Sequence, residues 1–223
     1  MVVKENREYA QKCECQAVEV IVSRGQHANI PPRFFDVKLD SYLPDKANPS
    51  QANAKTLVQK FIADYPGVVK GLLLQGPTGV GKTRLLCTIA VELMKKINGL
   101  DIYYIDWNDL VREMRFGDHV ANRDYSPMNQ LLFKLAEVEL LLFDELGSSG
   151  TTPWVLDNIY YIFNKRYNNQ KITVCATNYL DKSIDNQETL TKRVGERIRS
   201  RLFEMTSIVQ IKGDDLRTHD KND

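Results

Sequence analysis

The chain alternates between short apolar runs and longer stretches whose apolar positions recur at helical spacing. Leu72-Leu73-Leu74, Ile102-Tyr103-Tyr104-Ile105, Leu140-Leu141-Leu142-Phe143 and Ile172-Thr173-Val174-Cys175-Ala176 each read as a strand. Continuous runs of this kind mark strands covered on both faces, as in the interior of a parallel sheet. Leu57, Val58, Phe61 and Ile62 predict a helix over 51–65, ended by Pro66-Gly67. Leu85, Leu86, Ile89, Ala90, Leu93 and Met94 predict another over 84–97, closed by Asn98-Gly99. Leu110, Val111 and Met114 follow a cap at Asp106 or Asn108, and a short helix is expected over 128–136. Leu156, Ile159, Ile162 and Phe163 carry a helix over 153–168 with Pro153 in its first turn. A basic helix over 190–203 and a last strand over 208–211 follow. Strands alternating with helices predict an α/β fold of three layers, a central parallel sheet with helices on both faces. Upstream, the alternation over 17–22 predicts a strand or hairpin arm. Residues 31–50, with Pro31, Pro32, Pro44 and Pro49, predict an extended connector that lays Phe34 and Phe35 onto the domain.

One junction carries specific chemistry. The strand at 72–74 runs into Gly76-Pro77-Thr78-Gly79-Val80-Gly81-Lys82-Thr83, a full match to G-x-x-x-x-G-K-[ST], and a helix follows directly. Glycines at these positions let the backbone curl so that successive N–H groups face one anion, and the helix opening adds its positive end. Lys82 is expected at the β- and γ-phosphates and the Thr83 hydroxyl on Mg²⁺. Strand, loop and helix in this order predict binding of a nucleoside triphosphate.

The strand at 140–143 ends in Asp144-Glu145, the form of a Walker B segment. Asp144 is expected to hold Mg²⁺ through water and Glu145 to polarise the attacking water. In a parallel sheet the polar strand tip Thr177-Asn178 lands beside these carboxylates, where Asn178 would orient that water. Lys192, Arg193, Arg197, Arg199 and Arg201 make the 190–203 helix basic. A solvated face, a nucleic-acid contact and an arginine offered to a neighbouring subunit's γ-phosphate are the alternatives there. The polar stretch 115–127, with Arg115, His119 and Arg123, reads either as a loop over the nucleotide face or a partner, or as a solvated connector. Trp154, Tyr160 and Phe163 are assigned to packing. Cys13-Glu14-Cys15 supplies two of the four ligands that tetrahedral Zn²⁺ needs, with His27 a third candidate; two free thiols on a loop is the favoured reading.

Composition narrows the picture. A length of 223 residues fits one α/β domain over 51–217, an extension and connector over 1–50 and a polar tail over 218–223. The formal net charge is +1, so any nucleic-acid surface must be a local patch. No apolar run reaches membrane-spanning length, the first residues lack a signal-peptide core, and four cysteines do not form a secreted framework. A cytoplasmic protein with no membrane partner is expected.

In combination, the phosphate loop, LLLFDELG, TVCATNY and GERIRSRLFEM followed by KGDDLR resemble the DnaC/DnaI/IstB branch of AAA+ ATPases over residues 31–217. NIPPRFFDVKLDSY resembles the lead-in common among its helicase loaders. The resemblance implies a AAA+ P-loop core without a C-terminal helical lid, hydrolysis of ATP with Mg²⁺, and assembly into a homo-oligomer on DNA. It implies Walker A at 76–83, Walker B at Asp144 and Glu145, sensor 1 at Asn178, a finger arginine at Arg201 or Arg197, and a sensor 2-like arginine at Arg217. The implied function is the loading of a replicative helicase onto single-stranded DNA, with Arg112, Arg115 and Arg123 as candidates for the DNA groove. A transposase helper on duplex DNA and an ATP-switched adaptor with little turnover are the alternatives. Loaders of this type often carry a C-x-x-C ahead of the C-x-C; only Cys13 and Cys15 are present here.

Overall fold

The computed structural model describes residues 2–4, 7–9, 14–45, 48–116, 127–182 and 188–216. A short antiparallel ribbon, β1 (Val2–Lys4) and β2 (Arg7–Tyr9), precedes helix α1 (Glu14–His27) and a single 3-10 turn, Pro32–Phe34. Helix α2 (Pro49–Asp64) leads to β3 (Gly71–Gln75) and α3 (Lys82–Lys96). Then come β4 (Ile102–Asp106), α4 (Trp107–Phe116), α5 (Pro127–Glu137), β5 (Leu140–Asp144), α6 (Pro153–Asn168) and β6 (Ile172–Thr177). Two short helices, α7 (Leu190–Val194) and α8 (Glu196–Met205), precede β7 (Thr206–Gln210).

The five strands from β3 onward form one sheet in the order β4-β5-β6-β3-β7, every pair parallel. Alternate residues of β3 to β6 feed opposite cores, and the edge strand β7 feeds one. Leu72, Leu74, Tyr104, Leu140, Leu142, Val174 and Ala176 pack under α1, α2 and α3. Leu73, Ile105, Leu141, Phe143 and Cys175 pack under α4 to α8. Two covered faces leave no polar side to the central strands, which is why they read as continuous apolar runs.

The N-terminal alternation is a correction: residues 17–22 lie in helix α1 rather than in a strand. Ile21 reaches the first core, and one turn later the Arg24 guanidinium donates to the carbonyls of Met94 and Ile97. Those are end carbonyls of α3 that its own ladder leaves free, so α1 docks as a cap. Five apolar residues around Glu19 fit either period, and this tertiary contact decides between them. The predicted 190–203 helix is two helices, broken at Gly195 with φ +82° and ψ 156°, a conformation that glycine adopts without strain. The last strand begins two residues earlier than expected, at Thr206. Phe163 is buried as assigned and Tyr160 packs against the second core, but Trp154 is 45% exposed.

A charged residue that periodicity does not flag holds the second core together. Arg166, fully buried near the end of α6, donates to the carbonyls of Leu135, Val138 and Ile172 and to the Thr173 hydroxyl. Burial lowers its pKa to about 10, so it stays charged at neutral pH. Its five N–H groups suit a crowded junction of strand starts and helix ends. Arg166→Met, which keeps the volume but removes every donor, is expected to lower the unfolding free energy by about 3 kcal/mol in urea denaturation.

Candidate nucleotide-binding site

The phosphate loop leaves β3 where three strand ends meet. The Gly76 N–H donates to the Thr177 carbonyl at 3.3 Å, and a Cβ at Gly76 would lie 2.0 Å from the Ile211 carbonyl oxygen. Only glycine turns the chain between β6 and β7 at that spacing. Gly79 and Gly81 take positive φ, +85° and +92°, and curl the loop toward the start of α3. Lys82, 8% exposed, lays its ammonium across the loop and donates to the carbonyls of Gly76 at 2.8 Å and Pro77 at 2.6 Å. Pro77 and Thr78 are exposed, whereas Val80 is fully buried. Thr83, on the first turn of α3, is half-buried.

Two segments outside the motif, both inside the stretches that carry the family resemblance, clasp the loop through contacts that the sequence did not indicate. The Tyr42 hydroxyl donates to the Val80 carbonyl at 3.2 Å, its ring against Gly81, and burial raises the phenol pKa to about 12. From the other side, Leu216 N–H donates to the Gly79 carbonyl at 3.2 Å, with the Asp215 side chain against Gly79. Arg84 anchors the connector by donating to the Ser41 carbonyl at 2.9 Å.

The carboxylates stand at the same edge of the sheet. Asp106 and Asp144 are register partners at the ends of β4 and β5. Asp144 is 2% exposed; its Oδ1 accepts the Glu145 N–H and its Oδ2 accepts the Tyr104 hydroxyl, both at 2.9 Å. Glu145 takes φ +50°, a left-handed conformation that costs a non-glycine residue on the order of 1 kcal/mol. Asn108 donates to its Oε2 at 3.2 Å. Asp106 Oδ1 caps α4 by accepting from the N–H groups of Asn108 at 2.7 Å and Asp109 at 3.3 Å, which settles the choice of cap. The carboxyl pKa values of Asp106 and Glu145 are both raised, first by lost hydration and next, for Glu145, by the charges of Asp106 and Asp144; Lys82 pulls Glu145 back.

Asn178 is exposed at the tip of β6, between the two halves of the site. Its position is fixed by its neighbours. The Leu146 N–H donates to the Ala176 carbonyl at 2.8 Å, the Thr177 hydroxyl to the Leu146 carbonyl at 2.8 Å, and the Gln75 amide to the Tyr179 carbonyl at 3.2 Å. The sheet therefore brings Gly76 to Thr83, Asp144, Glu145 and Asn178 to one edge.

The basic helix pair divides into two groups. Arg193 donates to the Gly147 carbonyl and pairs with Glu188, and Arg199 is held by both carboxylate oxygens of Asp181. Arg197 and Arg201 stack on α6, their guanidinium carbons 3.7 Å from the Tyr160 ring centroid and 4.3 Å from that of Tyr167, and Arg197 also lies 3.8 Å from an Asp157 carboxylate oxygen. Arg201 also donates to the Asn164 side chain at 3.2 Å. Of the groove candidates, Arg112 is exposed on α4, Arg115 donates to the Gly150 carbonyl at 3.1 Å, and Arg123 lies outside the described residues. Cys13 and Arg217 also lie outside them. Cys15 falls within α1 rather than on a loop, and no group of three metal-ligating side chains is found among the described residues. No helix among them is long and apolar enough to cross a membrane.

A parallel sheet in this order, with a phosphate loop after β3 and Asp-Glu after β5, defines the P-loop core of an AAA+ protein. The model of the IstB-like ATP binding protein family matches residues 46–223, and the chain belongs to that family. It is 28% identical over 152 residues to the replicative helicase loader DnaC of Escherichia coli (strain K12), covering 68% of this chain and 58% of that one. It is 26% identical over 183 residues to the replicative helicase loader DnaI of Bacillus subtilis (strain 168), covering 78% and 56%. The chain thus spans a little over half the length of these relatives. A crystal structure of the DnaC helicase loader matches with a TM-score of 0.67 and 31% identity, over 82% of this chain and 100% of that one. A crystal structure of DnaI matches at 0.65 and 25%, over 82% and 94%. DnaA bound to AMPPCP and single-stranded DNA shares the fold at a TM-score of 0.61 and 21% identity, over 82% and 51%.

The raised carboxyl pKa of Asp106 has a sign that can be checked. The folded protein holds that proton more tightly than the unfolded chain, so the penalty is absent at acid pH and grows as pH rises through the carboxylate range. Asp106→Asn keeps the cap and removes the charge. It should raise the unfolding free energy at pH 7 by about 0.5 kcal/mol, a figure already discounted for the half-buried position. The gain should shrink toward zero near pH 4, compared by urea denaturation at both values.

Proposed function

We propose that the chain is an ATP-hydrolysing AAA+ subunit that loads a replicative helicase onto single-stranded DNA, with each ATP site completed by a neighbouring copy. Lys82 and the loop N–H groups hold the phosphates. Thr83 and Asp144 offer the hard oxygen donors that Mg²⁺ takes, directly or through water. When bound, Mg²⁺ would neutralise charge on the phosphates. Glu145 activates water as general base, Asn178 orients it, and Arg217 contacts the nucleotide. Helicase and DNA as partners rest on the likeness to the DnaC and DnaI loaders. Arg112, Arg115 and Arg123 are the proposed DNA contacts.

The observation that carries the reading is the position of Arg201. It stacks on Tyr167, in the last turn of α6, and α6 returns the chain to the start of β6. The phosphate loop and Asp144 lie at the other end of the strands. At six residues β6 puts about 20 Å between the two edges. An arginine side chain does not span that distance, which supports a role in trans for Arg201; Arg197, on Tyr160 and beside Asp157 nearer the start of α6, is the other candidate. The family match supports a second reading, a helper ATPase for a transposase, which differs in preferring duplex DNA.

ATP turnover measured with and without single-stranded DNA tests the proposal. Wild type should be stimulated, and Glu145→Gln should bind ATP but lose turnover by about 100-fold or more. Arg201→Ala should keep ATP binding and lose the stimulation. Turnover indifferent to DNA and to Arg201→Ala would favour an ATP-switched adaptor, and stimulation by duplex DNA alone the transposase helper.

A further inference from the structure

We infer that Tyr104 is a positioning residue for the Asp144 carboxylate, and that it ties this carboxylate to the N-terminal helix. The inference rests on the proposed Mg²⁺ role of Asp144 and adds a residue that no phosphate-binding motif contains. Tyr104 is 5% exposed, on the face of β4 that packs under α3. Register pairs it with Leu142, so its side chain reaches diagonally along the sheet to donate its hydroxyl to Asp144 Oδ2 at 2.9 Å. With Oδ1 taking the Glu145 N–H, both oxygens of the carboxylate have a fixed donor and its plane is set before any ligand arrives. Partners that orient a metal-ligating carboxylate in this way tune its affinity without touching the metal.

The backbone of the same residue is held from the N-terminal side. The Tyr104 N–H donates to the Ala28 carbonyl at 2.8 Å, and the Asn29 side-chain amide donates to the Tyr104 carbonyl at 3.1 Å. Ala28 and Asn29 directly follow α1, Ala28 is buried, and Asn29 takes a left-handed φ of +57°. The exit of α1 therefore grips β4 at the residue that orients Asp144. A displacement of α1 is transmitted to the carboxylate through one side chain.

The test separates metal from nucleotide. Fluorescent ADP binding without metal reports the phosphate loop, and Mn²⁺ titration followed by EPR with ADP present reports the carboxylate. Tyr104→Phe should bind ADP like wild type and raise the Mn²⁺ dissociation constant about tenfold. Asn29→Gly, which keeps the left-handed backbone and removes the amide, should shift Mn²⁺ affinity in the same direction by less. Unchanged Mn²⁺ affinity in Tyr104→Phe, or equal loss of ADP and Mn²⁺, would overturn the inference. A wild type that binds no ADP would instead overturn the phosphate-loop reading, and one that binds ADP without Mn²⁺ would overturn the metal role of Asp144 and this inference with it.

Discussion

In a parallel sheet every strand ends at the same edge, and here the register is such that three of those ends are chemically different. β3 ends in a glycine loop, β5 in two carboxylates and β6 in a polar tip, with β6 hydrogen-bonded to both neighbours. Gly76 marks the constraint most sharply, because the Ile211 carbonyl occupies the space that any side chain there would need. The loop has to turn where it does, and α3 has to start where the turn delivers it. Clasping by Tyr42 and by the segment around Leu216 then holds the curl from both sides. Ordering of this kind removes from ligand binding the conformational entropy that a free loop would lose.

Negative charge is concentrated at the same edge. Burial and neighbouring carboxylates raise the cost of ionising Asp106 and Glu145, Glu145 is strained in a left-handed backbone, and Lys82 is the opposing charge. Such a site is less stable empty than it would be with neutral residues, and function accounts for its retention. A bound divalent cation would reverse the sign of the local electrostatics. Tyr104 and Asn108 keep the carboxylates in place meanwhile.

The sheet and its helices were legible because burial on both faces writes itself into apolar runs, and glycine, proline and cap residues mark the boundaries. The 153–168 helix agrees to the residue, and the other core elements within a few positions. The phosphate loop and Asp144-Glu145 were legible because their chemistry demands fixed residue types at fixed spacing. What failed was decided at long range. The alternation at 17–22 became a helix because Arg24 finds the end of α3, and Arg166 is a polar residue in a core that periodicity would have assigned to solvent. Tyr104 carries no motif, and the resemblance covered the segments of Tyr42 and Asp215 without giving either a role; Asp106, a carboxylate ending a strand as Asp144 does, left a signal that could have been followed. Arg201 was separable from Arg193, Arg197 and Arg199 only once Glu188, Asp157 and Asp181 were seen to pair with those three.

The central claim is that no copy of this chain completes its own site. Lys82 lies in the phosphate loop and Arg201 packs against the late turns of α6, so two defects placed on different copies should complement. The direct measurement is ATP turnover, with single-stranded DNA, of Lys82→Ala alone, Arg201→Ala alone and an equimolar mixture. Sites shared between subunits predict two inactive variants and a mixture that regains part of the wild-type rate. A mixture as inactive as its components, at concentrations where the wild type assembles, would contradict the account.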